Sequence, residues 1–180
     1  ELAGLFGPQA SSGFVPPVNY VRDPEVHADL WGRSGGSSIT QPPMYGHAVA
    51  TLVRAGAPPA DGVVAAASAG IRFLLGQRAR DPSGLLLLCH PWESGADDSP
   101  RWDGYCPGGF DPERWRAEKS RLVTTIRADG DGSPVSNPAF PVASVAFNAL
   151  VAFNARELAS VTGDAAMDAA ADELTRALAA

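Results

Sequence analysis

Val142-Ala-Ser-Val-Ala-Phe-Asn-Ala-Leu-Val-Ala-Phe-Asn-Ala-Arg-Glu-Leu-Ala-Ser-Val161, closed by Gly163 and followed by Ala165 to Leu178, is the stretch on which the fold turns. From Val145 to Phe153 it is apolar apart from Asn148, which predicts a helix buried on most sides. Asn148 and Asn154 then require hydrogen-bond partners inside the protein. After the glycine stop, Met167, Ala171, Leu174 and Leu178 recur at helical spacing, so a second, amphipathic helix follows with those residues inward. A mostly buried helix alternating with an amphipathic one is what a double-layered helical ring requires, with the buried helices inside and the amphipathic ones outside.

Upstream, the same texture begins at Pro42. Pro42 and Pro43 suit the first turn of a helix, and Met44, Ala48, Leu52 and Val53 then share a face until Gly56. A second helix is expected after Pro58-Pro59, with Val63, Val64, Ala67, Ile71, Leu74 and Leu75 on one stripe and Arg72, Gln77 and Arg80 off it. The short Gly and Pro connection makes the two a hairpin. Leu85 to Cys89 reads as a buried extended segment, and Asp111-Pro-Glu as the cap of a further helix with Trp115, Leu122, Val123 and Ile126 on one face. Asp129-Gly-Asp-Gly-Ser-Pro is a turn that lacks the remaining ligands of a calcium loop. Residues 1–41, rich in Gly, Pro and Ser, predict irregular segments with one short strand at Phe14 to Tyr20; residues 42–180 predict helical hairpins. The chain is expected to be all-α, with residues 1–180 all lying within a single domain.

Composition narrows the function. A 180-residue chain with 45% hydrophobic residues can bury a core. Its net charge of −6 and its short, interrupted basic clusters, such as Arg78 with Arg80, argue against nucleic acid and anionic membranes. No apolar run approaches the length of a membrane span. The spacing of Cys89 and Cys106 fits neither a redox motif nor a zinc knuckle, though a disulfide across the intervening loop is compatible with it. His27, His47 and His90 are scattered, so neither a metal nor a cofactor is expected.

That loop, His90-Pro-Trp-Glu-Ser-Gly-Ala-Asp-Asp-Ser-Pro-Arg-Trp-Asp103, packs four carboxylates and two tryptophans into fourteen positions. Indole faces cover the apolar side of a pyranose, and carboxylates bind hydroxyls or protonate a glycosidic oxygen, so carbohydrate is the substrate this composition suits. The same residues also allow a solvated acidic turn with core tryptophans. Asp97 can cap a short helix beginning at Asp98-Ser-Pro, Glu93 can brace the loop through the backbone or Arg101, and Arg101 with Asp103 can pair.

Trp92 to Asp103 closely resembles the signature of (α/α)6-barrel glycoside hydrolases of family 63, especially the bacterial mannosylglycerate and glucosylglycerate hydrolase group, and its Glu-Ser-Gly-x-Asp core is similar to that of the family 37 trehalases. Ser38-Ile-Thr-Gln-Pro-Pro43 and Ala146 to Ala159 look like the loop and the inner helix that accompany it. The resemblance implies a partial barrel of helical hairpins with long loops on the active-site face. It also implies an enzyme that inverts an α-linked glucosyl or mannosyl compound, with Asp97 as general acid, Trp92 lining the sugar subsite and Gln41 on a loop closing over the substrate. Asp98, which stands where relatives often carry Asn, and Glu93 complete the expected substrate-binding set. Inversion needs a second carboxylate roughly 6.5 to 9.5 Å away to activate water; in the family it lies far downstream, and Glu157, Asp172 and Glu173 do not match its motif.

The chain is therefore expected to be a fragment that needs the remainder of the same barrel, to be inactive alone, and to expose apolar helix flanks. In glycerate-specific relatives an Arg and a Tyr follow the signature to hold the substrate carboxylate. Here Cys106 to Trp115 offers no clear match, although Arg114 or Arg116 is near. The resemblance also points to the cytoplasm. A carbohydrate-binding relative that has lost catalysis, or a helical scaffold without a ligand, is the alternative.

Overall fold

The structure is a computed structural model that describes residues 2–20, 22–60 and 62–180. In chain order, α1 (Leu2–Leu5), α2 (Ala28–Trp31), α3 (Tyr45–Arg54) and α4 (Val63–Gln77) lead into β1 (Leu87–Leu88). Two 3₁₀ turns, Pro91–Ser94 and Pro100–Tyr105, follow, then α5 (Pro112–Thr124), β2 (Arg127–Ala128), β3 (Pro134–Ser136), β4 (Val142–Ala143), α6 (Val145–Thr162) and α7 (Ala165–Ala179). Among the described residues, no helix is long and apolar enough to cross a membrane.

The helix α6 is the hub, packing against α3, α4 and α7. Ser144 caps it through Phe147 N–H, and Gly163 ends it in the left-handed conformation. Asp164 then accepts from Met167 N–H to start α7. Its two asparagines have the partners that burial requires. Asn148 accepts from Leu86 N–H at 2.8 Å and donates to Leu86 and Ser144 carbonyls at 3.0 Å, so it pairs with the extended chain as a strand would. Asn154 donates to the carbonyls of Pro43 and Leu150 and accepts from His47 N–H. It thereby fastens the start of α3 to α6. Truncating either would strand buried backbone groups at roughly 1–3 kcal/mol each.

Three helical expectations are corrected by this packing. The helix expected from about Val142 begins at Val145, because Val142 and Ala143 pair in antiparallel register with Leu88 and Leu87. Pro42 and Pro43 precede α3 instead of forming its first turn, and the face that α3 buries is Tyr45, Gly46, Val49 and Ala50, leaving Met44 and Leu52 exposed. The cause is Gly46: a Cβ there would stand 2.7 Å from the Asn154 carbonyl, so the glycine lets α3 approach α6 on that side. Apolar periodicity alone does not register a residue whose contribution is the absence of a side chain. α4 buries Val63, Ala67, Ile71 and Leu74 as expected.

The expected strand at Phe14 to Tyr20 forms no ladder; a single bridge joins Asn19 to Gly36, while Phe14 and Val15 anchor the two main apolar clusters. The Asp129–Pro134 turn closes the β2–β3 hairpin, with Asp129 and Asp131 accepting from Ser133 N–H. One stripe of α6 faces outward, where Val145 is 66% and Phe153 41% exposed.

Candidate functional site

The site begins at β1. Leu85 to Cys89 runs extended through the core, with Leu86, Leu88 and Cys89 fully buried, and it delivers the acidic loop to the end of the helical layer. Pro91 and Pro100 open the two 3₁₀ turns, since each lacks the N–H that a first turn would leave unpaired. Gly95 links them at φ 69°, a left-handed conformation costly for other residues, in contact range of Pro42.

Glu93 is the knot that holds this loop. Its side chain and that of Arg78 are both 0% exposed and form an ion pair. One carboxylate oxygen accepts from Arg78 Nη1 and Thr40 N–H, each at 2.9 Å, and the other from Arg78 Nη2 and Cys89 N–H, each at 2.5 Å. Burial alone would raise the Glu93 carboxyl, but the guanidinium and the backbone donors hold it below its ordinary value. Glu93 was expected to contact substrate; its acceptor oxygens are instead consumed by the protein, and a group already sealed here stays sealed whatever packs around the chain. It braces the loop, through Arg78 rather than Arg101. The bond to Thr40 also ties down the segment carrying Gln41.

Two other indoles act as clamps. Trp102 donates to the Ala96 carbonyl at 2.7 Å. Trp115 Nε1–H lies 3.2 Å from the Asp97 carbonyl and 3.0 Å from Asp98 Oδ1. Both rings are buried, so they fix the backbone on either side of Asp97 while its side chain remains half-exposed. Burial chiefly raises the Asp97 carboxyl above its ordinary value; Lys119 opposes this, and the charge of Asp98 adds to the rise. Asp97 is not a helix cap: Ser99 occupies that position in the second 3₁₀ turn. Arg101 donates to Ser99 Oγ and lies over Trp102, and does not pair with Asp103.

Trp92 is half-buried, its ring 4.4 Å from that of His90 and 5.9 Å from that of Trp31. His90 Nδ1 accepts from Trp92 N–H and its Nε2–H donates to the Lys119 carbonyl, an arrangement that requires the neutral ring. Burial agrees, pushing His90 down to about 4. Asp98 bonds Lys119 Nζ at 2.6 Å, and its carboxyl lies below the ordinary value for that reason. Gln41 is exposed and lines a cavity of about 160 Å³ with Pro42, Pro43, Met44 and Tyr45.

The structure thus gathers Trp92, Asp97 and Asp98 around α5, places the Gln41 segment against the Gly95 turn, and withdraws Glu93 into the core. Lys119 and Arg78 are the partners of the loop's carboxylates that sequence reading missed. Lys119 sits four residues after Trp115 on the otherwise apolar stripe of α5, and that misplaced charge was the available signal. Arg114 and Arg116 are exposed, Arg114 being held by Asp111 and the Pro107 carbonyl. Cys89 and Cys106 are both buried and free. Glu157 is engaged by His47 and Arg54 on the α3–α6 surface. Among the described residues, no cluster of His, Cys, Asp or Glu could hold a metal ion.

Comparison with known proteins agrees with this picture. The family model of the mannosylglycerate hydrolase MGH1-like glycoside hydrolase domain matches residues 1–180. The mannosylglycerate hydrolase of Rubrobacter radiotolerans is 34% identical over 61% of this chain and 29% of its own length. The glucosylglycerate hydrolase of Mycolicibacterium hassiacum is 32% identical over 53% of this chain and 25% of its own. The crystal structure of the GH63 mannosylglycerate hydrolase from Thermus thermophilus with Tris and D-glycerate superimposes with a TM-score of 0.70 at 24% identity, over 99% of this chain and 52% of that one. The same enzyme with glucose gives 0.65 at 26% identity, over 99% of this chain and 49% of that one. The chain thus spans less than a third of the curated relatives it matches and about half of the solved structure, and its helices form part of the same all-α barrel. With the matching model running its full length, the chain belongs to the mannosylglycerate hydrolase MGH1-like glycoside hydrolase family.

Proposed function

We propose that this protein carries the general-acid half of an inverting glycosidase site for an α-linked glucosyl or mannosyl compound, and that Asp97 is the acid. The observation that carries the reading is the treatment of Asp97. Its backbone is clamped by Trp102 and Trp115, its side chain is left half-exposed, and burial raises its carboxyl toward the protonated form a general acid needs. Trp92, its ring in tilted contact with His90 and close to Lys119, offers an indole to the sugar. Asp98 keeps one oxygen free for a hydroxyl, and in this reading Gln41, next to the Thr40 that Glu93 holds, serves the loop that closes over the substrate.

The base that activates water lies, in this reading, in the portion of the relatives that this chain does not span, so the single domain is completed by the remainder of the barrel. A cytoplasmic location belongs to the same reading and is checked by fractionation of the source cells. Mannosylglycerate and glucosylglycerate head the substrate candidates because the relatives carry those names, with trehalose and α-linked glucobioses behind them.

The test is hydrolysis of these compounds by the full-length protein and by its Asp97→Asn variant. Loss of roughly 10²-fold or more in rate, with substrate binding retained, is expected for removal of a general acid. Equal rates in the two proteins would exclude Asp97. Binding without turnover in either would favour a carbohydrate-binding relative.

A further inference from the structure

We infer that Lys119 is a positioning residue for the acid, a cation close to the rings of both Trp92 and Trp115 that fixes the Asp98 carboxylate against α5, beside Asp97. The inference rests on the reading of Asp97 as the general acid.

The geometry is specific. Lys119 Nζ lies 2.6 Å from Asp98 Oδ1, 5.9 Å from the centre of the Trp92 ring and 5.6 Å from that of Trp115. Its side chain is 12% exposed, whereas that of Asp98 is 68% exposed. A lysine buried this far normally marks an obligation, because its apolar stem buries readily but its ammonium resists leaving water unless paired. Here the main chain of the same residue is fixed too, by His90 Nε2 on its carbonyl. Trp115 donates to the same Asp98 oxygen that Lys119 holds. Two groups of α5 thus converge on one oxygen of Asp98, and the indole that bonds it also bonds the Asp97 carbonyl.

The chemical consequence concerns Asp97. Two neighbouring carboxylates repel, and each makes the other harder to ionise. Holding Asp98 ionised beside the acid favours a protonated Asp97, while Lys119 offsets part of that field. The charged and titratable groups around the pair are Asp97 and Asp98 on the loop, Lys119 on α5 and the neutral His90 that precedes the first 3₁₀ turn; Glu93 is sealed by Arg78. Removing the lysine should raise the Asp97 carboxyl, and removing the Asp98 charge should lower it. In the double variant both influences vanish and the value returns toward that of the wild type.

The experiment uses the full-length protein and the variants Lys119→Met, Lys119→Arg, Asp98→Asn and the Lys119→Met/Asp98→Asn double. It reads the basic limb of the kcat/KM profile, where a general acid is lost by ionisation, and in parallel the ¹³C titration of the Asp97 carboxyl. Expected are a limb at higher pH in Lys119→Met, at lower pH in Asp98→Asn, and near the wild type in both Lys119→Arg and the double variant. A merely structural lysine would lower rates at every pH and leave the limb in place. If Lys119→Met does not fold, Asp98→Asn and Lys119→Arg decide, and an unmoved limb in Asp98→Asn overturns the inference. Should Asp97→Asn stay active, the function proposed above fails. The carboxyl titration then judges the charge pair alone, and unchanged midpoints in Lys119→Met and Asp98→Asn overturn it.

Discussion

Replacing Glu93 with Gln changes one oxygen into an amide, yet the consequences reach four donors on three separate segments. Each carboxylate oxygen accepts one guanidinium N–H of Arg78 and one backbone N–H, from Thr40 or from Cys89. Whichever way the amide turns, its NH₂ faces one guanidinium N–H and one backbone N–H, donor against donor. The Arg78 charge, fully buried, is left without its counterion. An unsatisfied buried donor costs about 1–3 kcal/mol, and breaking a buried ion pair from one side costs about 3–5 kcal/mol. These overlap, because the lost bonds are part of the pair, so the expected destabilisation is about 3–5 kcal/mol. Urea unfolding at pH 7 reads it as a lower midpoint at unchanged slope. Added salt should barely alter the difference, since a buried pair is poorly screened.

The double variant Glu93→Leu/Arg78→Met separates stability from positioning. It removes both charges and should recover only the part of the loss that comes from the uncompensated guanidinium, because two buried backbone donors stay unsatisfied at about 1–3 kcal/mol each. It still leaves Thr40 and Cys89 N–H without the acceptor that fixes the loop, so hydrolysis by the full-length protein should stay depressed. A Glu93→Gln loss below about 1 kcal/mol would refute the account of Glu93 as the knot of the site.

Two further outcomes follow from burial. His90 is pushed down to about 4 from an ordinary 6.5, so between those values the unfolded chain takes up a proton that the folded chain refuses, and stability falls as pH drops through that window. The slope contributed is at most about 1.4 kcal/mol per pH unit; His90→Gln should flatten it in urea titrations at stepped pH, and identical slopes would count against the neutral ring. Cys89 and Cys106 are buried at 0% and 3% exposure, and burial pushes the Cys89 thiol well up. Native protein should therefore react with a thiol reagent only at the rate of its unfolding; rapid labelling of either cysteine would show that the loop opens locally.

The reading of α7 held for Met167, Ala171 and Leu174, whereas α6 met its reading only in part: it starts at Val145 and turns one stripe outward, because an apolar run alone does not say which of its sides the rest of the chain covers. Asn148 and Asn154 were legible as residues needing partners, but not which partners: Leu86 lies 62 residues from Asn148, and Pro43 lies 111 from Asn154. The acidic loop was legible as a candidate site because proline, glycine, indole and carboxylate rarely converge without cause. The division of labour inside it was not. Trp92 and Asp97 remain presented, whereas Trp102, Trp115 and Glu93 were drawn into support, and nothing in their side-chain types distinguishes the two uses.

The amino-acid sequence by itself determined the helical class, through the periodicity of α4, α6 and α7, and the family, through a local motif whose residues are contiguous. Local pattern suffices for both, because helix period and loop chemistry are short-range properties. Only the tertiary structure decided that Arg78 closes on Glu93, that Lys119 closes on Asp98, and that Gly46 sets which face of α3 is buried. Each of these is a contact between residues well apart in the chain. Its sign, whether a carboxylate is a ligand for substrate or a ligand for the protein, depends on which donors the folded chain brings within hydrogen-bond distance and on whether water can still reach the group.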